Sequence, residues 1–388
     1  MIGLNIKPAK INLMMLTEND RVYTLEVLRF FAALTVFFGH YVHFYMYFSI
    51  PHEKGIFFRI NNPYGDLAVP IFFMISGAIF IHTYFYKIYC GEMGFIRFMQ
   101  KRFARLYPLH FLTLIMVALL QATLLSTTHS YFIYKYNDIK NFFLNLLFIS
   151  HWGFQDGYGF NGPVWSVSHE IFLYICFFAV CLFSGLVRAR GKLFFFACIV
   201  IAILERVTDN FLARSAFDFF VGATLYVVLE ALLNTSFGRL WRLLLVGLFI
   251  SSLFALNHFL IKHGLPYGAL GPALLVSCLT FDFIIRFDPD SWFCKISSFI
   301  GNISYSTYLL HFPVQLCFLL FSIFIIKLDF SNTMVLFAYV MSVMFVSVIS
   351  YEFFEKPMKL HLSGYKSAIA HQGNKKPILS AEEGQVGF

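Results

Sequence analysis

The sequence predicts an all-α membrane protein, a polytopic bundle of about ten transmembrane helices with both termini in the cytoplasm. Three observations lead there. Apolar residues make up 59% of the 388 positions and charged residues only 13%, against roughly 45–50% and about 25% in soluble domains. Mean hydropathy is +0.71. Long apolar runs recur along the chain, separated by polar connections that carry most of its Lys and Arg.

Residues 1–24 are polar (Lys7, Lys10, Glu18, Asp20) and contain no short apolar core with a small-residue cleavage site. They read as a cytoplasmic segment, and the first span as its own insertion signal. The membrane domain, 25–354, holds spans at about 25–48, 67–86, 104–126, 164–186, 193–207, 214–233, 239–260, 267–287, 299–327 and 332–353. Phe142 to Ile149 is too short to cross and reads as a re-entrant or interfacial piece of the long connection 127–163. Residues 355–388 read as a cytoplasmic, disordered tail with no further domain after it.

Charge placement fixes the orientation. Lys and Arg cluster at Lys7, Lys10 and Arg21, at Lys87, Arg97, Lys101, Arg102 and Arg105, at Arg188, Arg190 and Lys192, and again from Lys356 onward. These segments fall on one side, which the positive-inside rule makes cytoplasmic. The same bias accounts for the net charge of +8 without nucleic acid. The seven cysteines are scattered through apolar runs and match neither a zinc site nor a disulfide framework. No metal or permanently bound cofactor is expected. No internal repeat is evident, which weighs against a transporter built on inverted halves.

Four stretches carry ionisable groups where a bilayer makes them costly. The first span, LEVLRFFAALTVFFGHYVHFYMY, contains Arg29 and His40, 11 residues apart and so on nearly one helix face, with a rise of about 16 Å between them. His40 is either a functional group or a packing histidine bonded to a carbonyl. In FIRFMQKRFARLYPLHF, Arg102 and Arg105 share a face and suit a phosphate or pyrophosphate. The plainer reading is an anchor on anionic lipid head groups. In NGPVWSVSHEIFLYICFF, Trp165 suits a membrane interface and Glu170 falls about 10 Å into a helix of opposite direction. That depth matches His40 and would set a carboxylate beside the imidazole, fixing its tautomer. The alternative is a solvated acid near a helix start. In GNISYSTYLLHFPVQLCFLLF, His311 lies near mid-span, as a site residue or as partner to backbone groups freed by Pro313. His43, His110 and His258 lie near span ends, and the sequon at Asn234 falls in a cytoplasmic turn.

Together LEVLRFFAALTVFFGH, GDLAVPIFFMISGAIF, RFMQKRFARLYPLHF, GPVWSVSHEIFLY and IGNISYSTYLLHFPV resemble acyltransferase family 3, in order and spacing, over residues 25 to about 315. These are integral membrane O-acyltransferases of bacterial surface polysaccharides and related acceptors. The resemblance implies about ten transmembrane helices in the cell inner membrane and an acyl-CoA donor, acetyl-CoA above all. It further implies a carbohydrate or lipid-linked glycan acceptor outside. The family's first-span Arg and His fall on Arg29 and His40, its Arg-x-x-Arg on Arg102 and Arg105, and its Trp-Ser…Glu on Trp165, Ser166 and Glu170. Glu26 stands where many members have Asp. Some members carry a fused extracytoplasmic domain; its absence here implies action alone or with a separate partner.

The expected assignment is therefore catalytic His40 and Glu170, donor-binding Arg29, Arg102 and Arg105, and substrate-binding Trp165, Ser166 and His311. A transporter or flippase lined by the same residues is the competing class, and a membrane scaffold the third. Turnover of acyl-CoA separates the first from both.

Overall fold

The structure, a computed structural model, describes residues 21–51, 65–187, 190–208, 210–233, 238–262, 269–285 and 287–363. The N-terminal segment to residue 20, the sequon at Asn234 and the tail beyond 363 lie outside the described residues. Described residues form helices and connections, with no strand among them. In order they are α1 (Tyr23–His40), α2 (Val42–Phe48), α3 (Gly65–Tyr89), α4 (Phe95–Thr128), α5 (Ile139–Leu146), α6 (Val164–Val187) and α7 (Arg190–Thr208). Then come α8 (Phe211–Leu233), α9 (Arg239–Lys262), α10 (Leu270–Ile285), α11 (Trp292–Phe324), α12 (Thr333–Ser350) and, after a π turn at Tyr351–Glu355, α13 (Lys356–Leu362). Among the described residues, eight helical stretches are long and apolar enough to cross a membrane, and α7 and α10 contain the shorter apolar pieces Phe196–Glu205 and Leu270–Ile285. The chain is a multi-pass membrane protein.

The helical path continues past residue 355 to Leu362. Pro357 has no N–H to extend the ladder and its ring crowds the preceding turn, so the wider turn at Tyr351–Glu355 absorbs the misfit. Gln100 Nε2 donates to the Leu362 carbonyl at 3.1 Å and ties α13 to the start of α4.

α11 is the axle of the bundle, with 61% of its apolar window buried, whereas α9, at 11%, lies on the periphery. Leu240, Trp241, Leu248 and Phe259 project outward from α9, as lipid contact requires of a spanning helix. α1 runs parallel to α11: Arg21 donates to Asn302 Oδ1 at 2.7 Å near one end, and His40 meets His311 toward the other. A Cβ at Gly301 would fall on the Glu26 carboxylate, so only glycine lets that acid lie between the two helices. Asp282 of α10 caps the free N-terminus of α1, accepting from Tyr23 N at 3.0 Å and Thr24 N at 2.8 Å, which anchors the helix that carries both Arg29 and His40. α3 and α8 approach backbone to backbone: a Cβ at Gly77 would strike the Phe219 carbonyl, and one at Gly222 the Met74 carbonyl.

The connection after α4 folds inward. Its helix α5 is the short apolar piece expected near 142–149, and its eight residues reach only about 12 Å. His110 Nε2 lies 2.8 Å from the Asn145 carbonyl and its ring stacks on Phe148, pinning α5 to α4. Further on, Asn161 Nδ2 donates to the Leu309 carbonyl at 3.0 Å, and the Tyr308 hydroxyl donates to the Pro163 carbonyl at 3.0 Å. α6 therefore starts at the level of Tyr308, inside the bundle.

Candidate functional site

Two polar centres lie along α1, one around Arg29 and one around His40. The first is a cleft lined by Arg29, Arg102, Arg105 and Glu170, with Ser76, Ser166, Tyr174, Tyr305 and Tyr308 completing its polar wall. Arg29 Nη1 pairs with Glu26 Oε2 at 2.8 Å, and both side chains are 12% exposed. Arg102 lies against three rings, its guanidinium carbon 4.8 Å from the Tyr84 centroid, 5.2 Å from Phe80 and 6.0 Å from Tyr174. It also donates to the Tyr84 hydroxyl, while its Nε is buried without a hydrogen-bond partner. Among the described residues no hydrogen bond or contact ion pair engages Arg105, which faces the cleft. Arg29 is thus neutralised by its own helix neighbour, whereas Arg102 and Arg105 are held apart from carboxylate contact. Such an arrangement suits an anion supplied from outside.

Glu170 belongs to this cleft. Its Oε1 accepts from Tyr174 Oη at 2.6 Å and Ser76 Oγ at 3.3 Å. The expected pairing with His40 is not formed; no hydrogen bond joins the two among the described residues. The reason lies in the connection before α6. Because α6 starts at the depth of Tyr308, the further 10 Å or so along the helix brings Glu170 to the level of Arg29 rather than His40.

The second centre is built by α1, α2 and α11. His40 Nδ1 lies 2.8 Å from His311 Nε2, with the ring centres 5.0 Å apart and the planes 22° from parallel, so the two rings meet edge to edge. His43 stacks on His40 at 4.8 Å. Phe37, Tyr41, Phe44, Phe312 and Tyr339 close around them, each almost fully buried. The carbonyl freed by Pro313 is that of Leu309, and Asn161 satisfies it. His311 is therefore released from that duty, and its ring turns to His40 instead.

Between the centres stand Ser166 and Tyr308, whose hydroxyl oxygens are 2.7 Å apart. Both line the arginine cleft, and the Tyr308 ring lies 6.2 Å from that of His311. Trp165 points away, packing on Phe211 at 4.5 Å and against His169. Tyr84, Tyr174, Ser76 and Gln315 were not singled out by sequence, and His43, noted there only as lying near a span end, is buried beside His40. For Gln315 a signal was present: an amide four residues after His311, inside an apolar run, shares its helix face.

A family model described as an acyltransferase domain matches residues 22–352. Acyltransferase MdmB of Streptomyces mycarofaciens is 28% identical over 159 residues, covering 40% of this chain and 38% of that protein. Protein 2 in the picA locus of Rhizobium radiobacter is 46% identical over 71 residues, 18% of this chain and 37% of that protein. The matched stretches span less than half the length of either relative. No solved structure matches.

Proposed function

Since the chain belongs to acyltransferase family 3, by a match over residues 22–352, we propose that it is an inner-membrane O-acyltransferase. It takes an acyl group, most simply acetyl, from cytoplasmic acyl-CoA and places it on a hydroxyl of a cell-surface or lipid-linked carbohydrate. The observation that carries this reading is that one helix, α1, contributes Arg29 to the arginine cleft and, about three turns on, His40 to the histidine pair.

In this reading Arg102 and Arg105 hold the phosphates of CoA and Arg29 guides the donor along α1. Glu170, bonded to Tyr174 and Ser76, sets the shape and charge of the cleft. His311 takes the orienting role expected of Glu170. With the shared hydrogen on His40 Nδ1, the lone pair of Nε2 faces the reaction. The acceptor oxygen bonds to the thioester carbonyl carbon as the carbon–sulfur bond breaks. His40 takes the hydroxyl proton and returns it to the departing thiolate. Alternatively Nε2 itself bonds to the thioester carbon as the carbon–sulfur bond breaks and the thiolate takes up the ring's Nδ1 proton; the acyl group then passes to the hydroxyl oxygen, whose proton returns to the imidazole. Either route keeps CoA on the cytoplasmic side. A separate extracytoplasmic partner is compatible with both.

The test is transfer of label from radiolabelled acetyl-CoA in membranes with wild type, His40→Ala and Arg102→Ala at equal protein level. The label is followed into protein and extracted glycans. Glycan labelling with wild type and its loss in both variants is the expected result. Label that persists in His40→Ala overturns the mechanism. No label and no thiol release with any of the three proteins favours the transporter class.

A further inference from the structure

α1 does not run straight through His40. The helix ends there, Tyr41 forms a turn, and α2 resumes at Val42. In an unbroken helix the His40 carbonyl would accept from Phe44 N, but that N–H goes to the Tyr41 carbonyl instead, at 3.2 Å. A carbonyl left open at this depth in a bundle needs a donor from elsewhere. Gln315 provides it: its Nε2 reaches the His40 carbonyl at 2.6 Å. The same amide turns its Oε1 toward His43 Nδ1 at 3.3 Å, and His43 stacks on His40. Gln315 is fully buried and lies one turn of α11 beyond His311.

We propose that Gln315 is a positioning residue for the transfer reaction, holding the backbone of His40 at the helix break while His311 holds its ring. Two residues one turn apart on the axle helix thus grip both ends of one histidine. The amide is suited to this because it donates and accepts at once. Its oxygen toward His43 Nδ1 assigns the hydrogen of that ring to Nδ1, and its N–H₂ can only donate to the His40 carbonyl. The break leaves the His40 carbonyl without its helical donor, so the backbone at His40 is held by a contact outside its own helix.

This inference rests on His40 as the reacting group, and the experiment separates the two. Gln315→Met keeps the volume and removes both bonds. With radiolabelled acetyl-CoA and endogenous glycan acceptor in membranes, apparent turnover per folded protein is expected to fall at least tenfold. The KM for acetyl-CoA, set in the arginine cleft, stays within twofold. A merely structural role would lower the yield of folded protein and leave turnover per folded molecule alone, and that result overturns the proposal. So does unchanged turnover in Gln315→Met beside a dead His40→Ala. Activity retained in His40→Ala sinks the underlying reading instead. Should Gln315→Met fail to fold, Gln315→Glu keeps the oxygen on His43 and replaces the amide donor, and the same two quantities decide.

Discussion

The two polar centres of this bundle solve the burial of polar groups in opposite ways. Around Arg29 the solution is charge: guanidiniums set against Glu26, stacked on aromatic faces or facing a cleft with Glu170. Around His40 it is neutrality: one ring hydrogen-bonded to it and another stacked on it, amide and carbonyl matched, in a shell of Phe and Tyr. Buried charge is costly unless paired, and buried neutral polar groups are tolerated when hydrogen-bonded. The difference teaches a division of labour along one helix. On the proposed function, the charged centre would receive the anionic donor, and the neutral centre would move a proton or an acyl group without attracting an anion.

The sharpest way to break that comparison is to remove one residue from each side and compare the kinetic constants. His40→Ala is expected to lower turnover by about 10²- to 10⁴-fold, the range of a lost general base, with donor KM nearly unchanged. Arg105→Ala is expected to do the reverse. A charged hydrogen bond contributes about 1.5–3 kcal/mol, so donor KM rises by roughly 10- to 100-fold while saturated turnover holds. Titration of acetyl-CoA against both variants reads the split. If both lower turnover alike with no change in KM, the two centres act as one and the division is wrong.

How far the sequence could reveal these centres follows from the same contrast. The spans were legible because a bilayer demands long apolar runs, and each expected span has a helix near it. Arg102 and Arg105 were legible as a pair because they sit three apart on one helix, a local relation. The contact between His40 and His311 joins residues 271 positions apart, and nothing local encodes it. The depth of Glu170 differs from the expected one because it depends on where α6 begins. That start is set by Asn161 reaching the Leu309 carbonyl and Tyr308 reaching Pro163, long-range bonds that no periodicity carries. The break at Tyr41 was likewise hidden, since its sequence reads as uninterrupted apolar helix.

Asn161 offers a middle-sized test, because it stands where the two centres meet. Asn161→Leu strands the Leu309 carbonyl that Pro313 leaves without its helical donor. An orphaned buried acceptor costs about 1–3 kcal/mol. Thermal unfolding in detergent is expected to shift downward, and both donor KM and turnover should worsen by a few-fold together, because α6 carries Ser166 and Glu170 while α11 carries Tyr308 and His311. A changed turnover with unchanged melting would mean that Asn161 acts on one centre and not on their boundary.

The smallest expected effect lies in the connection between α4 and α6. Asp138 caps α5, its carboxylate accepting from Asn141 N at 2.8 Å and from Asn141 Nδ2 at 2.7 Å. The Asn141 N–H holds this carboxyl below its ordinary range. A depressed folded value means that its contribution is fully present above the unfolded pKa of about 4 and fades as pH falls through the folded value. Hydrogen exchange over 139–146 should therefore be steady from neutral pH down to about pH 5, once intrinsic exchange is corrected for, and should lose protection in more acid solution. Asp138→Ala should remove about 1 kcal/mol of that protection at neutral pH, with transfer kinetics unaltered. If the loss of this cap instead lowers turnover like His40→Ala, then α5 reaches the histidine pair through the inward-folded connection, and the neutral centre includes the loop above it.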